Sequence, residues 1–468
     1  MSYTRRNTTD GSTIMNKDLY DNLQDGIEQS LNIRRFNFDF YGGVPNDPSV
    51  DNTVALQNLI DTIEDIGGEI FFQSQIYYFK SSIILRKVKN ISFVGIGMDY
   101  TKGTQFKYTG SDSSFFKIHG CSYVSFKDIN FLGGLFGKCF SLEDLDEIPN
   151  GDDSRSFNLY FDRVHIRGFL NGISIDTPTG YIYIDNIHFS NMPNNAEGIV
   201  IGKNFDFSKG YSVKPNYIYI THCNIDDLSN SENSQHGFSA ISLYCCQWVW
   251  IESCDLCNFA DGTAIYINGK SQSNTVDNIN IVNNALFNNK IGIDCTGSSL
   301  IVKSEGNKFS AYNPTDIIYE RYIGIEVHLS GISCCNNVYN PHTKVKYYYY
   351  FQKINGLSFS GNNSIHDTKP FLRGYFNQVT PCNVYDLFGR LMTTQTLQKT
   401  GGKIVFNDGV RWCSIKTTQV IILFPLAGGK PTTITYSVDI NDDGYVELNY
   451  TNTGSEEKIL ILINPVLI

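Results

Sequence analysis

The chain has 468 residues, 41% of them apolar and 13% aromatic, which supplies a large core and excludes a disordered chain. Only 18% are charged, while there are 40 glycines, 29 tyrosines and 31 phenylalanines, a mix that suits strands and turns better than helices. The net charge of −10, with no basic block, argues against nucleic acid as a partner, and the longest apolar run, Val420 to Leu426, is too short to cross a bilayer.

The first residues, MSYTRRNTTDGSTIMNKD, lack the apolar stretch of a signal peptide, so the expectation is synthesis inside a cell without export by the usual route. Leu19, Leu23 and Ile27 recur at four-residue spacing and predict a short amphipathic helix between Asn16 and Ser30. A lone helix of that length is marginal in water, so residues 1–33 read as an attachment element that packs on a partner. A second helix is expected after Gly42-Gly43 and Pro45-Asn46-Asp47. Asp51, Asn52 or Thr53 would cap it, and Val54, Leu56, Leu59, Ile60 and Ile63 would form its apolar face up to about Ile66. Gly67-Gly68 then stops it, and Glu69 to Phe72 opens a strand.

From about Asn90 the sequence repeats. VSFKDINF, LYFDRVHI, IYIDNIHF, IYITHCNI, VWIESCDL and INIVNNAL share one pattern, with a central apolar residue at Phe126, Phe161, Ile184, Ile220, Ile251 and Ile281. The steps between these are 35, 23, 36, 31 and 30 residues, and looser copies follow near Ile332 and Phe359. A minimum step of about 23 residues with strand patterning and Asn or Gly at the corners marks a solenoid whose coils stack in parallel, ~4.8 Å apart. Nine asparagines between Asn258 and Asn289 suit left-handed corners and side-chain ladders. The fold class expected is all-β: a right-handed single-stranded parallel β-helix with short N-terminal helices and a C-terminal antiparallel β-sandwich. The domains expected are residues 1–33 for attachment, 34–115 for the opening of the β-helix with its capping helix, 116–375 for the β-helix itself, and 376–468 for the sandwich, a cap or assembly domain.

Twelve cysteines are present, including Cys245-Cys246, Cys334-Cys335 and the CxxC pair Cys254 and Cys257. No second CxxC or histidine pair accompanies them, so buried free thiols are expected, with no metal and no cofactor.

Phe36 to Phe72 resembles the opening segment of the pectate-lyase-like β-helix superfamily found in phage tail spikes: an aromatic-rich strand, a Gly loop, Asp51-Asn52-Thr53 in place of DDT before a helix, then GG and an apolar strand. Gln73-Ser74-Gln75 stands where the family has PxG. With the N-terminal TTDGSTIMNKDLYDNLQDGIEQ, the chain resembles tail-spike or preneck-appendage proteins of short-tailed phages of Gram-positive hosts. The resemblance covers residues 1 to about 120. It implies a virion tail appendage made in the host cytoplasm, docked to tail or collar proteins through its N-terminus, homotrimeric, that binds and often cleaves cell-wall glycan, with no nucleic acid or membrane as partner. Family catalytic motifs do not transfer: Asp226-Asp227 lacks the companion elements of polygalacturonases, and no calcium carboxylate cluster of pectate lyases is found.

Placing the central apolar residues inside points their neighbours outward. One outward column is Ser125, Tyr160, Tyr183, Tyr219, Trp250 and Asn280; its four aromatics offer faces for sugar rings, or else lie under loops or a neighbouring subunit. The next is Lys127, Asp162, Asp185, Thr221, Glu252 and Val282. Asp162 and Asp185 stand one coil apart, the roughly 5 Å separation of a retaining glycosidase, or else form a solvated surface column with Arg163. The third is Asn130, His165, His188, Asn224 and Asp255, whose histidines would assist proton transfer or lie idle. Asp162, Asp185 and Glu252 are the candidate catalytic carboxylates; Tyr160, Tyr183, Tyr219, Trp250, His165 and His188 are the candidate substrate-binding residues. A glycan hydrolase, a receptor-binding adhesin without chemistry and a purely structural appendage all remain open. The charge of −10 gives no steering toward polyanionic teichoic acid, which Lys203, Lys209 and Lys214 would offset locally; a wall polysaccharide fits equally.

Overall fold

A computed structural model describes residues 34–99, 101–145, 154–227, 238–269, 275–311, 316–324, 329–340 and 345–360, and beyond these the strands given below. The expected attachment helix at 16–30 lies outside the described residues. The chain divides into two compact units: residues up to Trp250 with Cys254–Leu256, and Ile251–Ser253 with Cys257 onward.

The first unit winds as a parallel β-helix. One sheet pairs Arg35–Asn37, Gly68–Phe71, Ile91–Val94, Ser122–Leu132, Ser156–Arg167, Thr179–Asp185 and Asn216–Thr221 in succession, all parallel. A second sheet continues from the far ends of the two long strands into His188–Ser190 and Asn224–Asp226. The third runs Ile83–Arg86, Ser114–His119, Lys138–Leu142, Asn171–Ile175, Glu197–Ile201 and Ser239–Leu243. Hydrogen-bonded register pairs Phe126 with Phe161, Phe161 with Ile184, and Ile184 with Ile220, the alignment expected from the repeat. All four side chains are buried. Phe93, Phe126 and Phe161 stack inside the coil with centroids 4.7 and 5.5 Å apart and planes within 8°. A period of two then forces the residues on either side outward.

Each coil bends at two left-handed residues, three before and two after its central position: Tyr123 and Asp128, Asn158 and Arg163, Tyr181 and Asn186, Tyr217 and His222. The later bend carries the chain from the first sheet to the second. Asp, Asn and His enter this conformation at modest cost, whereas for the bulky Tyr123, Tyr181, Tyr217 and Trp248 it is strained by about 1 kcal/mol or more each.

The one α-helix among the described residues, Thr53–Ile63, buries Leu56, Leu59, Ile60 and Ile63. Val54, expected on that face, is instead 65% exposed. It sits in the first turn, ahead of the packed stripe. Asp51 accepts from the backbone N–H of Thr53 at 3.0 Å and of Lys80 at 3.0 Å, tying helix start to strand end. Gln57 both donates to and accepts from the backbone of Ile84, giving the edge strand Ile83–Arg86 the partner a further strand would provide.

The second unit repeats the parallel winding. Thr263–Gly269, Ile291–Gly297, Ile317–Ile323 and Val345–Ser360 pair in one sheet, and Val276–Val282, Ser299–Glu305 and Leu329–Cys335 in another that also ends on Val345–Ser360. Short strands Ala285–Phe287, Lys308–Ser310, Val338–Tyr339 and Asn363–Ser364 complete the coils. Ser299–Glu305 is a coil that the apolar pattern passes over, because buried Ser304 occupies its central position beside Ile281. Parallel pairing persists along Gly374–Tyr385 to Val384. Antiparallel pairing follows in two sheets, Leu391–Leu397 with Glu457–Asn464 and Gln419–Pro425, and Gly402–Phe406 with Val446–Asn452 and Ile434–Ile440.

Of the ten cysteines described, all but Cys335 are buried, and all are free. Among the described residues no group of three or more His, Cys, Asp or Glu is placed to hold a metal ion, and no helix is long and apolar enough to cross a membrane.

Candidate functional site

The outward face of the first sheet carries the aromatic column at the expected register: Tyr160 pairs with Ser125 and Tyr183, and Tyr183 with Tyr219. Ring centroids lie 4.8 Å apart for Tyr160 and Tyr183, 5.1 Å for Tyr183 and Tyr219, and 4.6 Å for Tyr219 and Trp250, with planes within 9°. The rungs of a parallel sheet are spaced at the thickness of two stacked rings, so the rings face each other along the column. Tyr183 and Tyr219 therefore have both faces taken and present edges and hydroxyls outward. The interior of the column is therefore a run of ring edges and not a row of open faces.

A second column runs beside it, two residues earlier in each coil. Tyr181 and Tyr217 stack at 5.1 Å and 13°, Tyr217 and Trp248 at 6.3 Å and 5°, and Trp248 meets Trp250 at 6.2 Å. These residues are the strained left-handed ones. Their signal was present in the sequence as YIYI, YIYI and WVWI, where the aromatic before the central strand repeats as faithfully as the one within it.

Asp162 and Asp185 are register neighbours. Arg163 binds Asp162 at 2.9 Å and forks onto Asp128 at 2.7 and 2.9 Å, while Lys127 stands 3.9 Å from Asp162. Asp185 accepts from the Thr221 hydroxyl at 2.6 Å and lies 2.9 Å from Nδ1 of His222. Asp162 is thus held by cationic partners, and Asp185 by a hydroxyl and an imidazole. Glu252 is exposed and belongs to the second unit.

His165 and His188 pair in register and stack at 4.5 Å and 12°. His165 is buried, its Nε2 2.8 Å from the Ser190 hydroxyl, and burial, then His188 and Arg167, pull its pKa down to about 4. Burial also lowers His188, against the pull of Asp226. The pair is neutral at physiological pH, so His165 is no proton donor there. Asp255 in the same column is pushed up by burial and by Asp226.

Lys203 and Lys214 do not serve the face as local positive charge. Lys203 is paired with buried Glu197, which also accepts from Tyr244 at 2.7 Å, and Lys214 is itself buried. Lys203 also lies over the Tyr244 ring, and Lys209, the third of these lysines, is exposed.

No protein-family model and no curated protein sequence matches the chain. Among solved structures it is similar to the Dettilon tailspike protein, at 11% identity over 92% of this chain and 94% of that one, with a TM-score of 0.44. It is likewise similar to a mutant tailspike of E. coli bacteriophage HK620 in complex with pentasaccharide, at 11% identity over 94% and 95%, with a TM-score of 0.46. The tailspike of Acinetobacter baumannii bacteriophage Fri1, a capsular polysaccharide depolymerase, is similar at 11% identity over 92% and 85%, with a TM-score of 0.38.

Proposed function

We propose that this chain is a tail-spike or tail-appendage subunit whose first-unit β-helix face binds glycan on a bacterial surface. The likeness to other tailspikes carries none of this reading. The observation that carries it is the pair of aromatic columns: seven rings aligned on one outward face, three of them on backbone strained to put them there. Strain retained at an exposed aromatic array favours a binding role over incidental packing. Lys203 paired with Glu197 and Lys214 buried reduce the local positive charge to Lys209, which favours a neutral or weakly charged wall polysaccharide over polyanionic teichoic acid. In the same proposal residues 1–33 dock to the tail, 376–468 serve as cap and assembly region, and the protein is a homotrimer of the virion.

Hydrolysis is a second reading, favoured by Asp162 and Asp185 standing side by side. A retaining mechanism needs one anion and one acid, and His222 stands 2.9 Å from Asp185 as a further polar side chain beside the pair. Purified protein retained on host cell walls, with released reducing sugar followed in parallel, separates the readings. Adhesion alone predicts retention without release. Release at wild-type level from both Asp162→Asn and Asp185→Asn removes the pair from the chemistry. Trp250→Ala is expected to weaken wall binding about tenfold with the oligomer intact; loss of the oligomer with binding unchanged makes the columns a subunit interface.

A further inference from the structure

The first aromatic column ends at Tyr160, and what lies past its end is a gap. In register, the positions continuing from Tyr160 are Ser125, Ser92 and Glu69. Three rungs separate Glu69 from Tyr160, about 14 Å at the spacing of a parallel sheet. Two of them carry only a hydroxymethyl group where neighbouring coils carry a ring. The outcome is a trough. One end wall is the Tyr160 ring, whose one stacking partner among the described residues is Tyr183 on its far side and which is 41% exposed. The other end is Glu69, bound by Arg35 at 2.7 Å, with Arg35 in turn lying over Phe71.

The floor is polar and pre-formed. Ser125 donates to Ser92 across 2.8 Å, and this bond uses neither the Ser92 proton nor all the lone pairs of the two oxygens. Along one side run Val94, Lys127 and Asp162; along the other stands Tyr123, 53% exposed and edge-on to Phe157 at 5.9 Å. Charges on the polar side balance, Lys127 and Arg163 against Asp162 and Asp128.

We infer that this trough is a monosaccharide subsite: a neutral pyranose ring stacks its apolar C–H face on Tyr160, takes the place of the missing rung, and hydrogen-bonds through its hydroxyls to Ser92 and Ser125. The inference rests on the glycan reading and names where on the face a sugar ring finds an aromatic face rather than edges. The dimensions argue for a sugar and against a second protein. A recess two rungs long buries far less than the roughly 800 Å² per partner that a stable protein interface needs, whereas it matches a single ring with hydroxyls on its rim and an apolar face. Balanced charge leaves nothing to recruit a phosphorylated or carboxylated sugar.

Saturation-transfer NMR with glucose, galactose, rhamnose and N-acetylglucosamine as probes tests the subsite on the full chain. At least one sugar is expected to receive saturation on its ring-face protons from the wild type. Ser125→Tyr fills the trough with a residue type that neighbouring rungs already accommodate, and is expected to cut the sugar's affinity about tenfold or more while the thermal transition stays put. Tyr160→Ala is expected to do the same by removing the end wall, and Tyr160→Phe to retain binding. Phe287→Ala, at an exposed ring of the second unit outside both columns, is expected to leave the monosaccharide signal intact. If Ser125→Tyr and Tyr160→Ala bind as the wild type does while wall retention persists, the sugar lies elsewhere and the subsite falls with the glycan reading standing. If no probe binds the wild type and host walls are not retained either, both fall. No probe bound with walls retained overturns the subsite alone.

Discussion

Three residues past its central position, at the corner just beyond the later left-handed bend, the coil sets a side chain inside, and the two units fill that corner differently. In the first unit it holds Ile129, Val164, Ile187, Cys223 and Cys254; in the second it holds Asn284, Asn307 and Asn337, all buried. The asparagines form a ladder. Asn307 accepts from the Asn284 backbone N–H at 2.9 Å, and Asn337 from that of Asn307 at 2.8 Å. Their amides also donate to strand carbonyls, Asn284 to Ile251 and Asn307 to Ile281. Outside the coil the contrast reverses: the column that is aromatic in the first unit holds Asn280 paired with Lys303 in the second. One winding geometry therefore accepts polar chemistry inside with a plain exterior, or an apolar interior with an aromatic exterior. Backbone register sets the column positions, and the column's occupant is free to vary.

The largest expected effect follows from the inner ladder. Asn307→Ala leaves the Asn284 N–H and the Ile281 carbonyl buried without their partners, and each such group costs about 1–3 kcal/mol. A loss of about 3 kcal/mol or more should appear as a lowered urea midpoint for the second unit. A loss under about 1 kcal/mol would mean that the ladder is decoration and the contrast between the units is not energetic.

Protons should sharpen the comparison in opposite directions. His165 in the first unit has its folded pKa drawn below its ordinary value, to about 4, so the unfolded chain binds the proton more readily. Stability from this group is complete above about 6.5 and is lost as pH falls toward 4. Glu320 in the second unit is fully buried among Ser304, Asn337, Tyr339, Tyr322 and Cys334, and burial pushes it up to about 7. Here the folded chain holds the proton more tightly, so stability is complete below about 4.5 and falls as pH rises toward 7. Urea midpoints between pH 4 and pH 8, each unit followed by hydrogen exchange, are expected to show acid weakening the first unit and base the second. Glu320→Gln should flatten the basic side alone.

The fold was legible because burial is written with a fixed period: the alignment of Phe126, Phe161, Ile184 and Ile220 is the hydrogen-bonded register itself. The coil at Ser299–Glu305 escaped because Ser304 and Asn307 satisfy one another inside, where an apolar pattern looks only for hydrocarbon. For the face, composition named the rings and not their orientation. That Tyr183 presents edges depends on both neighbours being aromatic at one rung's distance, a property of three coils together. Val54 shows the converse: an apolar residue at plausible helical spacing is exposed when it falls in the first turn. The pairing of Lys203 was not legible, because its partner Glu197 comes from a third-sheet strand that the apolar repeat does not align.

The smallest expected effect tests whether cysteine at the first unit's corner is a weak version of the asparagine ladder. Cys223 directs its thiol to the Ile184 carbonyl at 3.5 Å, and Cys254 to that of Ile220 at 3.6 Å, the carbonyls to which asparagine amides correspond in the second unit. A thiol is a poor donor, so little energy rides on each contact, and its small apolar body does most of the stabilising. Cys254→Ser keeps a donor aimed at Ile220, shrinks the packed volume slightly and buries a better-bonding hydroxyl; the gain and the loss nearly cancel, leaving about 1 kcal/mol or less. Cys254→Val keeps volume and removes the donor, leaving the Ile220 carbonyl short of one partner. A Val variant clearly less stable than the Ser variant in matched urea titrations would show that the corner carbonyl requires a donor in both units. Equal midpoints would show that only the asparagine corners depend on hydrogen bonding, and that the first unit's corner is held by packing.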